Sequence, residues 1–134
     1  MKLTKNFDKS EFNCNCGCDM PDDVLENIKL LAKELQVVRD YIDESITINS
    51  GYRCLEYNRS DAVGSNDASQ HPKGKAGDVV AKSYTPDELY NVVKNIKLNP
   101  FLSEPLAING IGRYDTFTHL DIRDNVAEWD NRTK

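Results

Sequence analysis

Hydrophobic residues recur every three or four positions between Pro21 and about Tyr41. This spacing places one apolar stripe along a helix and predicts an amphipathic helix that packs on a core. The two acidic residues after the proline suit a first helical turn. The apolar positions are Val24, Leu25, Ile28, Leu31, Leu35 and Val38.

A second helix is predicted to begin at Thr85, which can cap it while Glu88 completes a capping box and Pro86 occupies the first turn. Asn99 and Pro100 are expected to end it. Its buried face would consist of Leu89, Val92, Val93 and Ile96.

Four segments have the patterns of β-strands. Residues 46–50 alternate apolar and polar side chains, and residues 76–81 have the composition of a buried strand with Asp78 as the one charge. Residues 108–115 predict a strand broken by a glycine bend, and residues 117–122 a final strand that pairs with the one carrying Asp78. A loop is expected from 58 to 69. The order of elements predicts an α+β fold, with a small, mainly antiparallel sheet and helices packed on one face.

Length and charge narrow the class of protein. The 134 residues predict a single domain, 1–134, and the net charge of −5 argues against a nucleic-acid-binding protein. No apolar run approaches the length of a membrane span, so we expect no membrane insertion. The first residues lack the apolar core of a secretory signal, which predicts synthesis in the cytoplasm. We expect a monomer.

Three residues suggest a metal site. His71 and Asp78 flank a segment rich in small residues, whose glycines let the backbone turn so that both side chains reach one ion. His119, the only other histidine, would be the third ligand. Three protein ligands leave the fourth position of a zinc ion open for water, as in catalytic sites. Two nitrogens and one oxygen also suit iron or manganese.

A wider pattern of motifs runs from about Phe7 to Trp129 and includes these three residues. The motifs are Ser50-Gly51-Tyr52-Arg53, Asn58, Ser69-x-His71-x-x-Gly74-x-Ala76-x-Asp78 and His119-x-Asp121-x-Arg123. Together they resemble the zinc D-alanyl-D-alanine carboxypeptidase and endopeptidase family, which shares the hedgehog-type fold. The resemblance implies Zn²⁺-dependent hydrolysis of peptide bonds in bacterial peptidoglycan. A phage or prophage endolysin that reaches the cell wall through a holin fits the short chain without a signal.

The resemblance also implies roles for further residues. Arg53 would stabilise the oxyanion that develops on the substrate carbonyl, although a structural arginine paired with a carboxylate is the alternative. Ser69 and Gln70 would hydrogen-bond the substrate or a residue behind the ligands.

The identity of the general base stays open. His119 and Asp121 share one face of the predicted strand, so Asp121 could accept a proton from the attacking water or instead orient a ligand histidine. Asp115 is a second candidate base. Many relatives have an acid three residues before the last histidine, where this chain has Thr116. A zinc-stabilised binding or structural protein of the same fold, without activity, is therefore the alternative function.

The cysteines lie in an N-terminal loop, about residues 11–18, and directly after Arg53. Four thiolates could bind a structural zinc, although their spacing departs from the usual Cys-x-x-Cys. Free thiols, or one disulfide from the loop to the fourth cysteine, are the alternatives. The cysteines are Cys14, Cys16, Cys18 and Cys54.

Overall fold

The computed structural model describes residues 1–65 and 68–133. Three α-helices are present in these ranges, α1 (Asp22–Ile42), α2 (Leu55–Arg59) and α3 (Pro86–Lys97), with 3-10 turns at Lys9–Phe12 and His71–Lys73. The strands are β1 (Ile46–Ser50), β2 (Ala76–Ala81), β3 (Gly110–Arg113), β4 (Thr118–Asp121) and β5 (Ala127–Asp130). No helix within the described ranges is long and apolar enough to cross a membrane.

The two long helices form where the sequence predicts them. In α3 the Thr85 hydroxyl accepts a hydrogen bond from the Glu88 amide, and the Glu88 carboxylate accepts one from the Thr85 amide, so the capping box is confirmed. Tyr90 rather than Val92 completes the buried face of α3, and Leu25 of α1 is only half-buried. These differences leave the packing side of each helix unchanged.

The five strands form one sheet in the order β1-β2-β4-β3-β5. All neighbours are antiparallel except β3 and β5, which are parallel. The α+β class and the pairing of β2 with β4 are therefore confirmed.

Two strand predictions are corrected. The strand expected over residues 108–115 is confined to β3, and its glycines lie inside a regular strand instead of breaking it. The strand β4 is not the last one, because β5 follows it and covers the edge of β3. The side chain of Asp121 takes the space where a Cβ at Gly110 would lie, so the absence of a side chain there allows the close approach.

The loop expected from 58 to 69 begins later than predicted, because residues 55–59 form α2. Residues 66 and 67, which this prediction includes, lie outside the described part of the chain.

The sheet has two different faces. One face packs on α1 and α3 and forms the hydrophobic core, whose fully buried members include Leu31, Leu35, Val79, Leu89, Val93, Ile111 and Leu120. Alternate residues of the same strands point the other way, because side chains alternate along a strand. Asp78 on β2 and His119 on β4 are direct cross-strand partners on this opposite face. The register of the sheet therefore brings the two predicted ligands together.

Candidate metal centre

Three side chains converge above the sheet on the face away from the helices. Asp78 and His119 come from β2 and β4, and His71 comes from the 3-10 turn that precedes β2. One ligand atom from each residue lies within 4.8 Å of the other two, and all three residues are buried. The structure thus brings together the three residues predicted as ligands.

The separations between the donor atoms fit a small metal ion. The Asp78 Oδ1 atom lies 3.3 Å from His71 Nε2 and 3.0 Å from His119 Nδ1. Donors about 2.0–2.2 Å from a tetrahedral zinc are roughly 3.3–3.6 Å apart, so the observed spacing is close to that of a zinc site. Moreover, His71 Nε2 is buried and has no hydrogen-bond partner among the described residues. A buried imidazole nitrogen without a partner is costly, and a metal ion removes that cost.

The second nitrogen of each histidine is held by the protein. His71 Nδ1 lies 2.7 Å from the Gly51 carbonyl oxygen, which can only accept, so Nδ1 carries the proton and the Nε2 lone pair faces the site. His119 Nε2 lies 2.7 Å from Asp121 Oδ2, which leaves Nδ1 facing Asp78. Such partners fix the tautomer and orientation of metal-binding histidines.

The carboxylates at the centre are held in their ionised forms. Burial alone would raise the pKa of Asp78, but the adjacent imidazoles of His119 and His71 outweigh it and hold the pKa well below its usual range. Burial likewise opposes ionisation of Asp121, and contacts with His119 and Arg123 lower its pKa well below the usual range. For His119, burial would lower the pKa, but its bonds to Asp121 and Asp78 raise it. The site is therefore built to hold positive charge between carboxylates.

Asp121 lies behind His119, away from the pocket surface. It is fully buried, and Arg123 donates its backbone N–H and its Nε to Asp121 Oδ1 and its Nη2 to Oδ2. With His119 also on Oδ2, both carboxylate oxygens are engaged. The prediction that His119 and Asp121 share a face is confirmed, and the contacts are those of a group that orients a ligand.

Arg53 lines the pocket together with the three ligands, and the pocket has a volume of about 400 Å³. Its backbone N–H donates to the His71 carbonyl, and its buried Nε has no hydrogen-bond partner among the described residues. Burial lowers the pKa of Arg53 somewhat, and Asp78 opposes this shift. Within residues 1–65 and 68–133 no carboxylate lies at ion-pair distance from its guanidinium, which leaves the donors of Arg53 for a bound molecule.

The remaining predicted residues lie at different places. Ser69 and Gln70 both line the pocket, and the Ser69 hydroxyl accepts a hydrogen bond from the His71 amide. Asp115 does not line it: this exposed carboxylate accepts hydrogen bonds from the Thr133 amide and hydroxyl. Thr116 lines a separate small cavity beside Thr85 on the helix side of the sheet. In this backbone, position 116 does not face the metal centre.

Three aromatic side chains line the pocket, and they were not predicted from the sequence. The Trp129 ring lies 5.0 Å from the His119 ring, and Tyr114 stacks on Phe117 with ring centroids 4.5 Å apart. The Trp129 indole N–H donates to the Tyr114 hydroxyl. Alternation of apolar and charged residues over 127–130 is the one signal for β5, and four residues are too few to stand out.

The family model described as peptidase M15 matches residues 5–121, which include all three candidate ligands and Arg53. The chain belongs to the peptidase M15 family. No curated protein matches its sequence. Membership in this family supports peptidase chemistry, and the M15 match spans both the Cys-rich loop and the strands that carry Asp78 and His119.

Proposed function

We propose that this M15 peptidase is a zinc enzyme that hydrolyses peptide bonds in bacterial peptidoglycan, either as a D-Ala-D-Ala carboxypeptidase or as an endopeptidase of the cross-links. The observation that carries the proposal is the convergence of His71, Asp78 and His119 beside Arg53 in one open pocket. A phage or prophage endolysin is the biological role we propose, because hydrolysis of peptidoglycan peptides is the activity that such an enzyme requires.

The three ligands would hold Zn²⁺ through His71 Nε2, His119 Nδ1 and an oxygen of Asp78. When bound, the ion supplies Lewis-acid activation of the scissile carbonyl and of water. Gly51 and Asp121 keep the protonated ring nitrogens turned away from the pocket, so each histidine presents a lone pair to the ion. The protein thus orients the donors before any substrate arrives.

Arg53 would bind the carbonyl oxygen as negative charge develops on it. Its guanidinium is half-buried, permanently charged and unpaired with any described carboxylate. Its N–H donors can therefore bind the substrate oxygen without first breaking an ion pair within the protein. Ser69 would position the ligand turn through the His71 amide, and Gln70 would contact the substrate at the pocket edge.

Of the two roles that the sequence leaves open for Asp121, the contacts support orientation of His119. A general base must reach the proton it accepts, and both oxygens of Asp121 are occupied by His119 and Arg123 behind the pocket. We therefore propose Asp121 as a positioning residue.

Digestion of purified peptidoglycan tests the proposal. We expect zinc-loaded protein to release peptide fragments, chelator to stop the release, and mass spectrometry of the new termini to identify the bond. Asp78→Asn should lose both bound zinc and fragment release, whereas Thr116→Ala, on the other side of the sheet, should keep both. A protein that binds zinc and releases no fragment from any peptidoglycan would instead be the zinc-stabilised binding protein, the alternative that the residue at position 116 suggests.

A further inference from the structure

The four cysteines form a second cluster of metal-binding atoms, built from residues that the peptidase chemistry does not use. Their sulfur atoms all lie within 4.8 Å of one another. Cys14 Sγ lies 3.2 Å from Cys16 Sγ, which in turn lies 3.6 Å from Cys54 Sγ. A disulfide requires an S–S distance of about 2.0 Å, and all four cysteines are free. The cluster therefore consists of four thiols converging on one point.

The spacing of the sulfurs fits a tetrahedral thiolate site. With Zn–S bonds of about 2.3 Å, the sulfurs of a regular tetrahedron are about 3.8 Å apart. The Cys14–Cys16 and Cys16–Cys54 sulfur distances are shorter than this value. No two of the four sulfurs are more than 4.8 Å apart, which is about 1 Å longer than the tetrahedral distance. A disulfide would require only one pair of sulfurs to meet. Convergence of all four favours a shared ion over pairwise bonds.

Local backbone geometry makes this convergence possible. Gly17 has a φ of +86°, a left-handed conformation that turns the chain between Cys16 and Cys18. The Gly17 amide donates to the Cys14 carbonyl and closes this turn. The Tyr57 amide points at Cys54 Sγ from 3.5 Å, which would stabilise a thiolate. The short Cys-x-Cys spacing is thus compatible with four ligands on one centre, because the turn reverses the chain within the loop.

We propose that Cys14, Cys16, Cys18 and Cys54 bind a second, structural Zn²⁺ ion as four thiolates. Four thiolates in a tetrahedral arrangement suit zinc, and a site closed by four protein ligands has no open position for water. This ion therefore takes no part in hydrolysis.

The cysteine cluster would connect the N-terminal segment to the catalytic pocket. Cys54 directly follows Arg53, and the Tyr52 amide donates to the Phe12 carbonyl two residues before Cys14. Gly51, on the same short segment, supplies the carbonyl that orients His71. An ion on the four sulfurs would hold this segment against the N-terminal loop and so fix both Arg53 and the partner of His71.

Metal content of the full chain, purified under reducing conditions, tests this proposal. We expect two zinc ions per wild-type chain. We expect one zinc ion in the cysteine variant, Cys16→Ser/Cys18→Ser, and one in the histidine variant, His71→Ala/His119→Ala. The control variant Asn13→Ser/Asn15→Ser replaces two exposed residues that lie next to the cysteines in the same loop, and it should keep two zinc ions. Because the count in the histidine variant reports on the cysteines alone, failure of this proposal is distinguishable from failure of the peptidase proposal.

Two further measurements leave the four cysteines unsubstituted, so no cysteine replacement can affect folding. Cobalt exchanged into the protein should show the near-ultraviolet charge-transfer absorption of cobalt–thiolate bonds, and this absorption should persist in the histidine variant. A thiol reagent should label the four cysteines slowly until chelator is added. A histidine variant that binds no zinc, rapid labelling without chelator, or an intact mass lowered by disulfide formation would overturn the proposal.

Discussion

The two histidines of the metal centre are each turned by a partner that does not touch the pocket. Gly51 holds His71 through a carbonyl, and Asp121 holds His119 through a carboxylate that Arg123 also binds. Partners of this kind commonly change metal affinity by about 10–100-fold when they are removed. If the two histidines bind a metal ion, these partners behind them should therefore affect its affinity.

Asp121→Asn tests the positioning role at this scale. The amide keeps the size of the side chain but loses the charge that pairs with His119 and Arg123, so we expect zinc affinity to fall by about 10–100-fold. Competition with a chromophoric chelator measures this change. Asp130→Asn is the matched control. Asp130 pairs with Arg132, two residues later, in the same way that Asp121 pairs with Arg123, but the Asp130 pair is exposed and lies away from the histidines. Unchanged zinc affinity together with lost hydrolysis would instead assign Asp121 as the general base.

Arg53→Lys tests the oxyanion role. Lysine keeps the charge but not the planar set of paired donors, so we expect kcat to fall by about 10²–10³-fold while zinc content stays the same. Steady-state kinetics on a peptidoglycan peptide measures the loss. Arg39→Lys, on α1 and outside the pocket lining, should leave kcat unchanged. A variant at position 53 with wild-type kcat would contradict this role.

At the residue scale, the sequence was enough to predict the three residues that the fold brings together, but not the orientation of their side chains. Only two histidines exist, and Asp78 is the one charge in a buried strand, so the choice of ligands was narrow. Which nitrogen faces the site depends on a carbonyl twenty residues from His71 in the chain. No local pattern contains that information, because it arises from tertiary contact.

The turn that carries His71 connects the element scale to the site. Gly74 ends this turn with a φ of +74°, and its amide donates to the His71 carbonyl. A Cβ at Gly74 would lie 2.7 Å from Val24 Cγ1 and 2.8 Å from the Val24 carbonyl oxygen in α1. The turn is thus pressed against the first helix, and only glycine fits there.

Gly74→Ala should lower the free energy of unfolding by about 2–4 kcal/mol, from the left-handed backbone and the overlap with α1 together. Gly64→Ala is a matched control, because Gly64 has a φ of +67° and a Cβ there would meet no atom of the described residues within 4 Å, so its cost should be about 1 kcal/mol. Urea unfolding in zinc-saturated buffer measures both. Equal costs would show that the contact with Val24 contributes nothing.

Elements with strong local signals were predictable, and those that depend on distant pairing were not. The helices α1 and α3 have clear periodicity, and α3 also has a capping box, so both were predicted to within a few residues. The strand β5 was missed because it is short and its parallel pairing with β3 is non-local. Because β5 was missed, the position of Trp129 beside His119 was not predicted either.

At the scale of the whole molecule, the two faces of the sheet have different roles. The face toward α1 and α3 is apolar and stabilises the fold, whereas the opposite face holds Asp78 and His119 at adjacent register positions. Because β2 and β4 are central in the sheet, with neighbours on both sides, the two candidate ligands lie on paired, interior strands. The placement of these two candidate ligands therefore follows from the register of the sheet once the fold has formed.

The most direct test of the account is to remove the metal and return zinc while bound zinc and peptidoglycan hydrolysis are measured on the same sample. We expect chelated protein to be inactive, and hydrolysis to return in proportion to zinc bound at His71, Asp78 and His119. Asp78→Asn should regain no hydrolysis at any zinc concentration. Hydrolysis that persists after complete metal removal, or a fully zinc-loaded protein that releases no fragment, would contradict the account.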